Sequence, residues 1–319
     1  MKAVRILHEL IRQRGWATVP VIAREVIFRV ARLTPGIENL EATVFGAKIL
    51  VPVKHDGIGR ALYVYGGREL DHKWMLEKVL KPGDVIFDLG ANIGYYAILE
   101  AEIVQRRCKI FAIEPDPRNV RLLTENIRHS GLQDIVTIES GAVSNYSGRG
   151  YLLVSSRSNL NRLRRDQEET SLQPQLETRV YDFAEYLEKI VGRVSLVRMD
   201  IEGGEIKIFD SLLRALEKSQ RELVPRRIIF ETHDYGSERG LMKELLTALL
   251  KDVYDLEFLS SDDEASGSPE IQSQGYRPFK VIDDGPARRG IYAGINDLDA
   301  AELISRWKGT RTVCLKLKE

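Results

Sequence analysis

Val85-Ile-Phe-Asp-Leu-Gly-Ala-Asn-Ile-Gly94 is the stretch that decides the fold. Lys81-Pro-Gly-Asp84 before it reads as a turn, Val85, Ile86 and Phe87 begin a strand, and Asp88 closes it. An apolar run that meets an acid abruptly is the pattern of a buried parallel strand at its carboxyl end, the edge where open α/β sheets bind ligands. Gly90 and Gly94 bracket Ala91-Asn92-Ile93 ahead of a helical pattern from Tyr95. Glycine lets such a loop turn tightly and approach a ligand. Asn92 stands where a nicotinamide-binding Gly-x-Gly-x-x-Gly needs its second glycine. The looser loop suits a nucleoside with an amino-acid tail and no phosphates. An ordinary strand–turn–helix is the alternative reading of this segment alone.

Two further segments repeat the pattern. Ile110-Phe-Ala-Ile-Glu-Pro-Asp-Pro117 ends the next apolar run, and Glu114 lies 24 residues after Gly90. An acid about 20 residues past a glycine loop hydrogen-bonds ribose hydroxyls in dinucleotide-binding sheets. Asp116 followed by Pro117 is equally a helix N-cap, with Val120, Leu123 and Ile127 at helical spacing behind it and Gly131 as the stop. Glu114 has no such structural task in the sequence. Leu196-Val-Arg-Met-Asp-Ile-Glu-Gly-Gly-Glu205 is a third buried strand, ended by Asp200, with Glu202 beside paired glycines. Acids at a strand tip are costly unless exposed or used. Glu205 opens a helix carried by Ile206, Phe209, Leu213 and Leu216, where its charge favours the N-terminus.

In this combination the chain resembles the FkbM-type family of S-adenosylmethionine-dependent methyltransferases. The resemblance covers about residues 70 to 300 and rests on Asp88-x-Gly-Ala-Asn-x-Gly94, Glu114-Pro115 and Arg198-Met-Asp200-Ile-Glu202-Gly203-Gly-Glu205. Arg198 replaces the family's usual lysine, which keeps the charge and changes the donor geometry. Ser140-Gly-Ala142-Val-Ser144 matches the strand that passes near adenine. The resemblance implies a class I, Rossmann-like α/β three-layer sandwich that binds S-adenosylmethionine and transfers its methyl group. The cofactor-binding residues it implies are Asp88, Gly90, Asn92, Gly94, Glu114, Asp116, Ala142 and Asp200.

The pattern along the chain fills in this architecture. Residues 1–33 read as two helices with net charge +5, the first striped by Ala3, Ile6, Leu7, Leu10 and Ile11. A basic amphipathic helix either lies on an anionic membrane or packs on its own domain. Short strands are expected at Ala42–Phe45, Ile49–Val53 and Ala61–Tyr65, and a helix at Asp71–Leu80. Later strands fall at Ile135–Ile138, Tyr151–Val154, Leu176–Val180, Ile228–Phe230, Leu256–Leu259 and Ile291–Ile295, the last two as an antiparallel edge hairpin. The expectation is a mostly parallel seven-stranded sheet in a domain of residues 71–319, preceded by a helical and β extension of residues 1–70. Ser260–Gly275 is polar and reads as a lid or a loop, and Arg157, Arg162, Arg164 and Arg165 read as a grip on an anionic acceptor or as a solvated loop.

Composition excludes several classes. The formal net charge over 319 residues is zero, which argues against a general nucleic-acid binder. Two cysteines, Cys108 and Cys314, give neither a disulfide framework nor a metal spacing and suit a reducing, cytoplasmic setting. No apolar stretch approaches the roughly 18 residues of a spanning helix, and the N-terminus lacks the apolar region of a signal peptide.

Phe230-Glu231-Thr232-His233 ends the strand after the third segment, so His233 should face the shared crevice. It is the first choice for a general base, with Asp200 and Glu202 as rivals and a structural histidine as the alternative. No residue is assigned outright to a metal, although Asp200, Glu202, Glu231 and His233 offer ligands suited to Mg²⁺ or Mn²⁺. The expected activity is O-methylation of a hydroxyl on a small molecule, sugar or glycan. The alternatives are a nitrogen or carboxylate acceptor, or an NAD-type oxidoreductase on the same sheet. The usual place of a base-stacking Pro-Pro-aromatic signature reads Asp200-Ile-Glu-Gly, so a nucleic-acid substrate is not expected.

Overall fold

A computed structural model describes residues 18–54, 57–155, 161–166, 174–190, 193–218, 220–262, 268–283, 288–306 and 308–319. Helix α1 (Thr18–Leu33) leads into the hairpin β1 (Asn39–Val44) and β2 (Ala47–Pro52), then α2 (Gly57–Tyr65) and α3 (Leu70–Val79). The stripe expected on residues 3–11, and the first of the two N-terminal helices, lie outside the described residues. The strand expected at Ala61–Tyr65 is instead the second half of α2. Ile58 and Leu62, one helical turn apart, are buried with Ile49 and Leu76, whereas Val64 is buried with Phe28 of α1. A short apolar run satisfies both periodicities, and burial against two different neighbours selects the helix here.

The core alternates strand and helix: β3 (Val85–Leu89), α4 (Tyr95–Ile103), β4 (Lys109–Glu114), α5 (Pro117–His129) and β5 (Val136–Ser140). After Gly141 come β6 (Ala142–Ser144), β7 (Gly148–Leu153), β8 (Arg162–Arg164) and β9 (Gln175–Asp182), which form a separate four-stranded sheet in the order β6-β9-β7-β8. The chain then returns through α6 (Phe183–Glu188), β10 (Leu196–Met199), α7 (Glu205–Glu217), β11 (Arg227–Glu231), α8 (Arg239–Asp252) and β12 (Tyr254–Ser261). It ends with α9 (Pro269–Gln272), β13 (Lys280–Asp283), β14 (Arg288–Tyr292), α10 (Asp297–Arg306) and β15 (Thr310–Leu317).

Among the described residues the main sheet has nine strands, not seven, in the order β13-β14-β12-β15-β11-β10-β3-β4-β5. From β11 to β5 every pairing is parallel; β11, β10, β3 and β4 are largely buried on both faces, as their apolar runs require, whereas β5, at the sheet's edge, exposes Thr137 and Ser140. β12 and β14 do pair antiparallel, with Leu259 opposite Tyr292, but they are not the edge. β13 adds outside β14, and β15 inserts antiparallel between β11 and β12. β13 is only four residues long, Lys280-Val-Ile-Asp283, mostly exposed and bounded by charges; a short strand with charged ends is how an exposed sheet edge limits further pairing. The polar stretch from Ser260 is also not one loop: Ser260 and Ser261 are buried at the end of β12, and Pro269–Gln272 is helical.

Helices α7, α8 and α10 share one core with one face of the sheet, and α3, α4 and α5 share another with the opposite face, giving three layers. The extension joins the second core through Ala42, Val44, Ile49 and Val51. That explains why α4 is buried over nearly its whole length rather than along one stripe. The hairpin is tied down by Asn126, whose side chain accepts from Leu50 N at 2.7 Å and donates to Leu50 O at 3.0 Å and Ile93 O at 2.8 Å. β3 has β4, its successor, on one side and β10, from much later in the chain, on the other. This reversal of strand order opens a crevice at the carboxyl ends of β3 and β10.

Candidate functional site

A cavity of about 920 Å³ occupies that crevice, lined by the ends of β3, β4, β10 and β11, by α2 and α4, and by β6 and β8 of the small sheet. The loops after β3 and β10 touch across it. A Cβ on Gly90, whose φ is +77°, would stand 2.3 Å from Asp200 O, so only glycine allows this closure. Asn92 adopts φ +50°, the left-handed region that asparagine tolerates, and its side chain accepts from Ile93 N at 2.8 Å.

Arg198 organises the floor. It sits opposite Asp88 in the β3–β10 register and is almost fully buried. Nη1 donates to Asp88 Oδ1 at 3.2 Å and to Gly90 O at 3.4 Å, and Nη2 donates to Asp200 Oδ2 at 3.4 Å. The guanidinium carbon lies 3.8 Å from the centroid of the Tyr96 ring. One planar fork thus joins both strand tips and stacks on an aromatic face, which a lysine's point charge cannot do. Behind this group Glu100 is fully buried, and burial holds its carboxyl well above the usual range.

Glu114 has the structural task that the sequence did not show. Oε2 accepts from Asn92 N at 2.9 Å, and Oε1 accepts from Asp116 N at 2.9 Å and Asn119 Nδ2 at 3.2 Å. The carboxylate therefore ties the glycine loop to the start of α5. Burial pushes it up to about 7 against the pull of these three donors. Three hydrogen bonds leave a carboxylate acceptor capacity for a ligand, since its two oxygens offer about four lone-pair positions.

Of the eight expected cofactor-binding residues, Gly90, Asn92, Glu114, Ala142 and Asp200 line the cavity. Asp88, Gly94 and Asp116 stand behind its wall. Asp88 is fully enclosed against Arg198. Gly94, with φ +88°, lets α4 approach α5, where a Cβ would meet Leu123 Cδ1 at 2.7 Å. Asp116 caps α5 by accepting from Arg118 N at 2.9 Å and also holds Asn161 Nδ2 at 2.8 Å.

The three expected catalytic residues converge. His233 Nε2 lies 3.5 Å from Asp200 Oδ1 and 3.8 Å from Glu202 Oε2, while Nδ1 faces Glu205 Oε1 at 3.3 Å. Burial disfavours the imidazolium, but Glu205 and Asp200 more than offset it and raise His233 to about 12. Burial likewise opposes ionisation of Asp200, yet His233 and Arg198 hold it well below the usual carboxylate range. Glu202 goes the other way: burial, reinforced by Asp200 and Glu205 and opposed by His233, lifts it to about 7. Its backbone sits at φ +53°, a strained conformation for glutamate, of the kind that clusters at functional sites.

Ligand atoms of Asp200, Glu202 and His233 lie within 4.8 Å of one another, a spacing that suits a divalent cation. Glu231 does not join them. It is ion-paired with Arg311, and burial raises its carboxyl to about 8. Arg311 also donates to Glu69 at 3.1 Å, and Glu69 is bonded to Arg68 and Tyr96. This second polar wall was invisible in the sequence because residues 69, 96, 231 and 311 share no local spacing. Arg162, Arg164 and Arg165 reach the rim from β8 and the turn after it; Arg157 lies outside the described residues.

Comparison with known proteins places this geometry in a family. Residues 88–277, more than half of the chain, match the methyltransferase FkbM domain. The chain belongs to the FkbM methyltransferase family. The matched segment includes the glycine loop, Glu114, the Arg198–Glu205 segment and His233, and it excludes α1, the hairpin and β15. The 31-O-demethyl-FK506 methyltransferase FkbM of Streptomyces tacrolimicus is 25% identical over 221 residues, 61% of this chain and 83% of that one. The ribosomal protein L11 methyltransferase of Chloroflexus aurantiacus is 32% identical over 79 residues, so the match spans 25% of this chain and about a quarter of that relative's length. Among solved structures, methyltransferase FkbM from Methylobacillus flagellatus aligns at a TM-score of 0.39 and 15% identity, covering 67% of this chain and 44% of that one.

Proposed function

We propose that the protein is an S-adenosylmethionine-dependent methyltransferase acting on a hydroxyl of a small molecule, sugar or glycan. The observation that carries this reading is the crevice itself, where the Gly90 loop, Glu114 and Asp200 meet at the strand-order reversal within an FkbM domain. The residues fit the cofactor by charge and shape. A ligand with a sulfonium and an ammonium group suits a cavity lined by the carboxyl groups of Asp200 and Glu202. The Gly90–Asn92 turn and Glu114 would hold the ribose end, Ala142 would lie toward the base, and Asp200 toward the amino-acid tail. When bound, the cofactor supplies an already activated methyl group.

The protein's own part is then to position an acceptor, exclude water and take a proton. We assign the proton to Glu202 rather than to His233. An imidazole flanked by Asp200, Glu202 and Glu205 is held as a cation and has no free lone pair for an acceptor's proton. Glu202 lines the cavity beside it, and a carboxylate titrating near neutrality is matched to that task. His233 keeps Asp200 and Glu202 in place, and Glu205, bonded from Ile201 N at 3.2 Å, orients the ring through Nδ1. The zero net charge favours a small-molecule acceptor over nucleic acid.

The spacing of Asp200, Glu202 and His233 supports one second reading, in which Mg²⁺ or Mn²⁺ replaces the histidine proton and Glu205 orients the ligating ring. Screening hydroxylated acceptors for methyl transfer, with and without EDTA, tests both. Turnover indifferent to EDTA supports the proton reading; loss restored by the metal supports the second. Transfer only to amine or carboxylate acceptors would refute O-methylation.

A further inference from the structure

Beside the strand-tip carboxylates, the small sheet gives the cavity a rim of opposite charge. Asn161, Arg162, Leu163 and Arg165 line it there. Asn161 pins the start of β8: its Nδ2 donates to Asp116 Oδ2 at 2.8 Å, and its Oδ1 accepts from Ser155 N at 2.8 Å. Leu163 pairs with Leu152 in the β7–β8 register, and both line the cavity. The Arg165 guanidinium lies over the Tyr146 ring, its carbon 4.8 Å from the centroid. Gly150 makes room for that ring, since a Cβ there would stand 2.8 Å from Tyr146 Oη and 3.0 Å from Arg164 O. Lys207, also at the cavity, is taken by Glu238 at 2.8 Å, and Arg68, Arg198 and Arg311 are taken by the acids described above. Arg162 and Arg165 form no ion pair among the described residues. Arg162 is nonetheless near enough to Glu202 for its charge to oppose the rise of that carboxyl.

We propose that Arg162 and Arg165 hold a phosphate group of the methyl acceptor, so that the substrate is a small phosphorylated hydroxyl compound. This rests on the methyltransferase reading above and narrows its acceptor class. A guanidinium stacked on a ring keeps its N–H donors in its own plane, free for an anion beside the ring. A phosphate monoester carries about −1.5 to −2 charge at neutral pH and three acceptor oxygens, which suit two such forks. A carboxylate brings one charge and two oxygens, which one arginine satisfies, and it would leave the second cation unanswered. A neutral sugar would answer neither. The two ends of the cavity then differ in sign: Asp200 and Glu202 suit the cationic end of the cofactor, and the arginines suit the anionic end of the acceptor. The acceptor's hydroxyl would fall between them, beside Glu202.

Calorimetric titration of the full chain with inorganic phosphate tests the site apart from turnover. One phosphate per chain should bind saturably. Arg162→Gln with Arg165→Gln should weaken it at least about tenfold, and Arg162→Lys with Arg165→Lys should weaken it less, because the charge stays and the fork is lost. Both side chains are exposed, so the thermal midpoint should not move. Arg121→Gln with Arg128→Gln removes the same charge from the exposed side of α5 and should leave phosphate binding alone. No saturable binding, binding kept by the Arg162 and Arg165 glutamine pair, or equal loss in the α5 pair would overturn the proposal. In methyl transfer, phosphate monoesters should exceed their matched unphosphorylated hydroxyl compounds at least about tenfold in kcat/KM, with the advantage in KM and gone in the Arg162 and Arg165 glutamine pair. Equal use of both partners, or preference for an oligonucleotide over either, would overturn it as well. Failure of the wild type to bind S-adenosylmethionine would instead fell the underlying methyltransferase reading, and the phosphate titration would still report on the arginines.

Discussion

Replacing Glu114 with glutamine changes one oxygen to an amide nitrogen and separates the loop-holding role from bulk packing. The carboxylate serves three donors: Asn92 N on Oε2, and Asp116 N and Asn119 Nδ2 on Oε1. Glutamine keeps one acceptor. If it serves Asp116 and Asn119, its NH₂ group confronts the Asn92 N–H, and the glycine loop loses its tether. A hydrogen bond to a charged group contributes about 1.5–3 kcal/mol, so the cofactor, which needs that loop formed, should bind roughly 10- to 150-fold more weakly. Wild-type affinity should also depend on pH. With Glu114 raised to about 7, protonation below that pH removes acceptor capacity, so affinity falls as pH drops from 8 to 6. Glu114→Gln has no such proton to gain and should be nearly flat over that range. Isothermal titration calorimetry with S-adenosylmethionine at pH 6, 7 and 8, with a thermal melt to confirm folding, measures both. Unchanged affinity in Glu114→Gln, or a wild type flat with pH, would refute the assignment of Glu114 as the loop's anchor.

Gly90→Ala should abolish cofactor binding while the protein still folds, because alanine at φ +77° costs roughly 1–2 kcal/mol and its Cβ displaces the Asp200 carbonyl; titration at wild-type affinity would contradict this. Glu202→Gln should lower turnover by about 10²- to 10⁴-fold with cofactor affinity kept, and wild-type turnover should rise with pH to a plateau above about 7 as Glu202 ionises. His233→Ala should also keep cofactor affinity and lose turnover; it removes the cation that lowers Glu202, so the residual activity should rise at higher pH, and an unshifted profile would detach His233 from Glu202. Glu100→Gln tests the buried acid. Burial raises Glu100 in the folded state, so its favourable contribution is fully present below the unfolded pKa near 4.5 and is lost as pH rises toward the folded value. The variant should therefore gain stability relative to wild type between pH 5 and 8 in urea titrations; a constant difference would contradict a protonated Glu100.

The parts legible in the sequence were those with local signals. An apolar run cut by an acid located β3, β4 and β10, and with them Gly90, Glu114 and Asp200, because a strand tip is a property of a few consecutive residues. The cluster of His233 with Asp200 and Glu202 followed from the adjacency of β10 and β11. What failed was non-local. Glu205 read as a helix-dipole residue because its contact with His233 exists only once α7 and the end of β11 meet. Arg198 read as a substitute for lysine, whereas Tyr96, which makes its planarity useful, lies about a hundred residues earlier. β13 offers only Val281 and Ile282 between two charges, Ala61–Tyr65 fits both periodicities, and β15 has its place fixed only by the edges of β11 and β12. Asp88, Gly94 and Asp116 belong to the loop motifs but serve them from behind, by ion pairing, close helix approach and capping.

Titration of the purified full chain with S-adenosylmethionine, and separately with NAD, tests the central claim most directly. Saturable binding of one S-adenosylmethionine per chain, weakened in Glu114→Gln and lost in Gly90→Ala, is the expected result. Absence of that binding, or tighter binding of NAD, would contradict the account and leave the crevice with a different ligand.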